Sequence, residues 1–194
     1  MVKKIPLESI KVNGNELCLN FLNTIHHRYK PPVASYINDF EDLLYWASKK
    51  VGIITEEERQ SFPRGGAEAF YKEAMDLRAV LDDLFYRIAK KEPYSFDAFN
   101  VLFHYYNGHQ KMMPGPQLGW DWAPGDFHRL TAPIVRSASE LLLSPRLSRV
   151  GLCSGCGWLF LDSTKNGKRR WCSMEECGSA AKAREYYHRH KSDD

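Results

Sequence analysis

Four of the five cysteines of this 194-residue chain fall within 25 residues near its end, and their spacing limits what that part can fold into more than anything else in the sequence. Cys153 and Cys156 are separated by two residues, and Cys172 and Cys177 by four. A Cys-x2-Cys pair on a tight turn lets two thiolates face one ion. Gly155 and Gly157 give the backbone the freedom such a turn needs. The second pair follows from helix-start chemistry. Ser173-Met-Glu-Glu176 reads as a capping box, with Ser173 as N-cap and Glu176 at N3. Cys172 and Cys177 then occupy N′ and N4, the two positions that meet in a hydrophobic staple, so two sulfurs are brought together at the mouth of a helix whose dipole favours thiolates.

The spacer has the length of a β-hairpin. Trp158–Leu161 is the first strand, Asn166-Gly167 the turn signal and Lys168–Trp171 the expected return strand. The order is therefore zinc turn, hairpin, helix: a treble-clef-like module. Four thiolates form a closed shell, so the site is structural, with one Zn2+ per chain at Zn–S distances of ~2.3 Å. An iron–sulfur centre, a redox Cys-x2-Cys and four unrelated thiols are the weaker alternatives. The fifth cysteine, Cys18, stands alone and reads as a small buried hydrophobe.

Upstream the periodicity is helical. Residues 15–30 read as a helix ended by Pro31-Pro32, and a second helix spans Asp39 to Lys50. Thr55–Glu58 is a capping box opening a short helix. The longest helix runs from Ala67 to Lys91, with Phe70, Ala74, Leu77, Leu81, Leu84 and Ile88 at three- and four-residue spacings. Ser95 opens another helix that stops near Asn107-Gly108. A hairpin through Met113-Pro-Gly-Pro116 follows, then a helix from Asp126 to Leu143 closed by Ser144-Pro145. The fold class is thus mainly α with a small β-hairpin, plus the four-cysteine module. The boundary is placed between a helical domain, 1–147, and the zinc module, 148–194.

No apolar run approaches the ~18–20 residues that span a bilayer, and no apolar stretch follows Lys3-Lys4 as in a secretory signal, so a cytosolic protein without membrane partners is expected. Net charge is +3, but it is unevenly placed. Residues 1–145 hold 17 Lys+Arg against 18 Asp+Glu, and residues 146–194 hold 10 against 6. The basic excess sits on the cysteine module and suits an anionic partner. Lys165, Lys168, Arg169 and Arg170 lie at and after the expected hairpin turn, and Lys182, Arg184 and Arg189 on the terminal helix. These seven are the candidate DNA-phosphate contacts.

The run from Cys153 through Cys-Gly-Trp-Leu-Phe-Leu-Asp to Arg169-Arg-Trp-Cys, Cys177 and Lys182 resembles the CGNR zinc finger, and Leu17-Cys-Leu-Asn-Phe-Leu-Asn-Thr24 resembles the opening of the ABATE domain that precedes it. The resemblance implies a bacterial transcription regulator with the finger as its DNA-binding part. One departure stands out. Where the family reads Cys-Gly-Asn-Arg, this chain reads Cys177-Gly178-Ser179-Ala180, so the two side chains best suited to read adenine and guanine are gone. If they touch DNA in the family, that contact is lost here; if they brace the module, the change is repacking.

Asn20, Asn23, Thr24 and His27 recur at helical spacing, with Arg28 beside them. They are candidates for a pocket that takes a small polar effector, against the plainer reading of a stripe that ties down neighbouring loops. Trp120 and Trp122 are expected in the core or a pocket wall. No phosphate loop or nucleophile elbow is present, and no catalytic residue is assigned. The leading function is a DNA-binding regulator whose helical domain senses or forms a homodimer. A protein-interaction adaptor is the first rival, and a small-molecule enzyme in the helical domain the second.

Overall fold

The computed structural model describes residues 5–30, 34–108, 111–113, 119–121, 123 and 125–191. The helices are α1 (Leu17–Leu22), α2 (Phe40–Tyr45), α3 (Glu56–Ser61), α4 (Ala67–Lys90), α5 (Asp97–Asn107), α6 (His128–Leu142) and α7 (Ser179–Lys191). Two antiparallel strand pairs accompany them, β1 (Lys111–Met113) with β2 (Gly119–Asp121) and β3 (Val150–Leu152) with β4 (Leu159–Leu161). Among the described residues no helix is long and apolar enough to cross a membrane.

Caps decide where several helices begin. Asp39 accepts a hydrogen bond from the Asp42 amide at the head of α2. At α3 both halves of the capping box form, Glu58 N to Thr55 Oγ1 at 3.2 Å and Thr55 N to Glu58 Oε2 at 2.7 Å. α2 continues into a wide turn over Trp46–Lys50, so the expected helix to Lys50 is present in two parts. α4 presents Phe70, Ala74, Leu77, Leu81 and Leu84 to the core, as the periodicity requires.

The first helix is shorter than its pattern suggests. It ends at Leu22, and the chain then turns so that Ile25 bridges Ser35. Tertiary bonding takes residues 23 and 24 out of the helix: the Asn23 side chain is committed to the backbone of β4, and Thr24 Oγ1 donates to the Phe21 carbonyl at 2.7 Å. The expected hairpin over 110–122 exists as backbone pairing, Lys111 opposite Asp121 and Met113 opposite Gly119. Its turn residues 114–116 and Trp122 lie outside the described residues, as does the Trp120 side chain.

One hydrophobic core runs through the body and into the cysteine-bearing segment. α1 is buried between α6 and α4, with Cys18, Leu19, Phe21 and Leu22 wholly enclosed. α4 also packs on β3 and β4, which place Val150, Leu159, Phe160 and Leu161 in the same cluster. The outer edge of β4 is covered by the body. Leu161 N donates to the Gly14 carbonyl at 2.8 Å, and Asn15 Nδ2 to the Leu161 carbonyl at 2.9 Å. The Asn23 amide bonds both backbone groups of Leu159, at 2.7 and 2.9 Å, and so stands in for a strand residue.

Candidate metal centre and basic surface

The first cysteine pair lies in the tight connection between β3 and β4. Cys153 N donates to the Trp158 carbonyl at 2.8 Å and Gly157 N to the Cys153 carbonyl at 2.9 Å, closing the loop around the metal position. Gly155 N points at Cys153 Sγ from 3.4 Å. Gly157 adopts φ +79°, and a Cβ there would come within 2.8 Å of Arg28 Cβ, so only glycine fits. The loop is clamped from the body as well: Arg28 N donates to the Cys156 carbonyl at 3.0 Å and Trp158 Nε1 to the Ile25 carbonyl at 2.6 Å.

The partner of β4 corrects the sequence reading. β4 pairs with β3, on the near side of the zinc turn, and residues 168–171 are not a strand. The Asn166-Gly167 signal marks an irregular loop instead. Asp162 dictates its path by accepting from Thr164 N at 2.8 Å, Thr164 Oγ1 at 2.7 Å and Arg169 N at 2.9 Å. The carboxylate thus holds both ends of the loop, and the cross-strand partner that 168–171 would supply is already provided by β3.

The second pair has half of the expected helix-start geometry: Ser173 caps the turn, but no return bond from Glu176 completes the box. Ser173 Oγ accepts from Glu176 N at 3.3 Å. The first turn, Met174–Gly178, is wider than an α-turn, with Gly178 N bonded to the Ser173 carbonyl at 3.0 Å, and α7 continues from it. This turn sets Cys172 Sγ and Cys177 Sγ 3.8 Å apart, while Cys156 Sγ and Cys172 Sγ are separated by 3.6 Å. All four sulfurs lie within 4.8 Å of one another. A tetrahedron with ~2.3 Å Zn–S bonds has edges of about 3.8 Å, so this donor set fits one zinc ion. The thiols cannot all ionise unaided. Hydrogen bonds from Cys156 and Cys172 push Cys153 down. The bond to Cys153 pushes Cys156 up to about 12 and raises Cys172, and burial raises Cys177. A dication resolves the conflict by holding all four as thiolates. Cys18, by contrast, is pushed up to about 12 by burial and is an inert core thiol.

The basic residues divide into two kinds. Arg169 is turned inward: its guanidinium donates to the carbonyls of Trp171 at 2.9 Å, Asn13 at 3.2 Å and Cys172, and stacks 4.5 Å over Phe160. It therefore braces the module, and its expected place among the outward phosphate contacts is withdrawn. Lys165, Lys168 and Arg170 are exposed around a recess of about 480 Å³ floored by Trp171, over which Arg170 lies at 4.9 Å. Lys182, Arg184 and Arg189 are exposed on α7, whose main neighbour is the turn that begins it. Tyr186 and Tyr187 are exposed there too. The two departures from the family pattern behave differently. Ser179 Oγ donates back to the Met174 carbonyl at 3.0 Å, whereas Ala180 faces solvent.

The polar stripe does not converge on one pocket. Asn20 Oδ1 accepts from Gly14 N at 2.8 Å, Asn23 and Thr24 are wholly buried, and His27 Nδ1 accepts from Tyr29 N at 3.3 Å. Arg28 grips Asp82 through both terminal guanidinium nitrogens. These side chains fasten loops and the zinc turn to the body. Of the five, His27 lines a cavity of about 240 Å³ beside Cys156 and Cys172, and Arg28 a cleft of about 520 Å³ whose other charged residues, Arg78, Asp82 and Asp83, carried no local signature.

Comparison with known families accords with this architecture. Residues 15–145 match the ABATE family, described as "Putative stress-induced transcription regulator", and residues 149–190 match the CGNR zinc finger. No curated protein matches the chain.

Proposed function

Because the chain belongs to the ABATE family and carries a CGNR zinc finger, we propose that it is a cytosolic DNA-binding transcription regulator in which the module 148–194 contacts DNA and the helical body 1–147 senses or dimerises. The observation that carries this reading is the placement of the exposed cations. Lys165, Lys168 and Arg170 surround one recess beside an aromatic floor, and Lys182, Arg184 and Arg189 extend the charge along a helix that the body leaves uncovered. Zinc has a structural role here, fixing the loop and the helix start relative to each other. A single small module covers little duplex, and two-fold pairing of chains would double the footprint.

The test is affinity for duplex DNA of the Lys165→Ser/Lys168→Ser/Arg170→Ser variant. Three lost phosphate contacts are expected to weaken binding at least tenfold at low salt, with zinc content and melting temperature unchanged. Equal affinity of variant and parent would remove the loop from the interface. The adaptor reading is favoured where Tyr186, Tyr187 and the basic stems of α7 pack inward against the body, and both tyrosines are exposed.

A further inference from the structure

A cleft of about 520 Å³ opens between residues 25–29 and the middle of α4. Its walls are apolar or aromatic: Ile25, Met75, Ala79, Tyr29 and Tyr86. Its charged groups do not cancel. Asp82 is taken by Arg28 through both carboxylate oxygens, and Asp83, at the rim, by Arg87 at 2.8 Å. Arg78 remains. Its Nη1 donates to two neutral hydroxyls, Thr24 Oγ1 at 2.8 Å and Ser35 Oγ at 3.0 Å. Among the described residues no carboxylate is hydrogen-bonded to it, Asp82 attracting its charge only from a distance, and its other N–H donors take no hydrogen-bond partner, yet they are not sealed from solvent. Burial lowers the Arg78 pKa, a sign that its charge is poorly hydrated. A guanidinium held in this way gains most from a planar anion that meets its free donors side by side. The cleft volume suits a ligand of one or two rings.

We propose that this cleft binds a small organic carboxylate, with Arg78 as the anion anchor and Tyr29 and Tyr86 flanking its apolar part. The occupant would lie against the segment that holds the zinc turn. Arg28 N bonds the Cys156 carbonyl at 3.0 Å, and Arg28 and Tyr29 fill the space that a side chain at Gly157 would need. Binding at this site does not depend on whether the module meets DNA, so each claim can fail alone.

The test is calorimetric titration of the zinc-loaded full chain with a panel of monocarboxylates from acetate to benzoate and naphthoate, and with benzamide as the neutral counterpart of benzoate. The aromatic acids are expected to bind one per chain at millimolar concentration or below, and benzamide at least tenfold more weakly. Arg78→Gln should cost at least tenfold in affinity. Because Arg78 also holds Thr24 and Ser35, Ala79→Trp provides a second variant that fills the cleft from an exposed position and should abolish binding. No binding across the panel, or benzamide binding as well as benzoate, or full affinity in folded Ala79→Trp, would overturn the proposal.

Discussion

At the scale of single residues, the metal ligands were legible and the roles of the arginines were not. A thiolate pair with two or four residues between its members carries its geometry in the local chain, so Cys153, Cys156, Cys172 and Cys177 could be assigned from spacing alone. A guanidinium takes its role from whatever folds beside it. Arg169 and Arg170 are adjacent and identical in sequence terms, yet one is bonded to backbone carbonyls and the other lies outside over Trp171. Their substitution should therefore separate two phenotypes. Arg169→Ala should lower unfolding stability by about 2 kcal/mol through loss of charged hydrogen bonds. Arg170→Ala should leave stability within ~0.5 kcal/mol and lower the salt slope of DNA binding by about 0.9. Denaturant melts and anisotropy titrations on the two variants decide this, and an equal loss of stability in both would contradict the division. Asn23→Ala should cost about 2–4 kcal/mol, because it strands both backbone groups of buried Leu159. A melt indistinguishable from the parent would show that β4 does not need the amide.

At the scale of elements, helices with strong starts or long periodicity were read well. The box at Thr55 and the apolar stripe of α4 are local facts and appear in the fold as they do in the sequence. The errors fell where a distant partner outbid a local signal. Asn166-Gly167 is a strong hairpin turn in isolation, but β3 occupies the edge of β4 that residues 168–171 were expected to take, and Asp162 bends the loop away. Residues 23–30 have helical spacing, but Asn23 is bonded to β4 and the helix stops. The wide turn that starts α7 gives a further expectation. Ser179 is tied back to Met174 while Ala180 faces water, so restoring only the outward family residue, Ala180→Arg, should strengthen DNA binding severalfold and make it more salt-sensitive. Unchanged affinity in that variant would place position 180 away from the duplex.

At the scale of the whole molecule, the module is built into the body. Phe160, Trp158 and the zinc cysteines share the core that buries α1, and residues 13–28 line the module through backbone bonds. No sequence pattern marks such a seam, because Asn23 and Leu159 stand 136 residues apart. Removing zinc should therefore unsettle more than the last 45 or so residues. Chelation is expected to lower the melting temperature of the full chain and to raise amide exchange in α1 as well as in β3 and β4. Exchange confined to residues beyond 148 would mean that the seam holds without the metal.

Whether the exposed cations of the zinc module clamp duplex DNA is decided by the salt dependence of binding. The measurement is the affinity of the zinc-loaded chain for random-sequence duplex DNA across a salt series. Binding at low salt is expected to fall steeply as salt rises, with a log–log slope of about −3.6 to −5.4 for four to six outward cations per chain. No binding at low salt with one zinc per chain, or a slope near zero, would contradict the clamp.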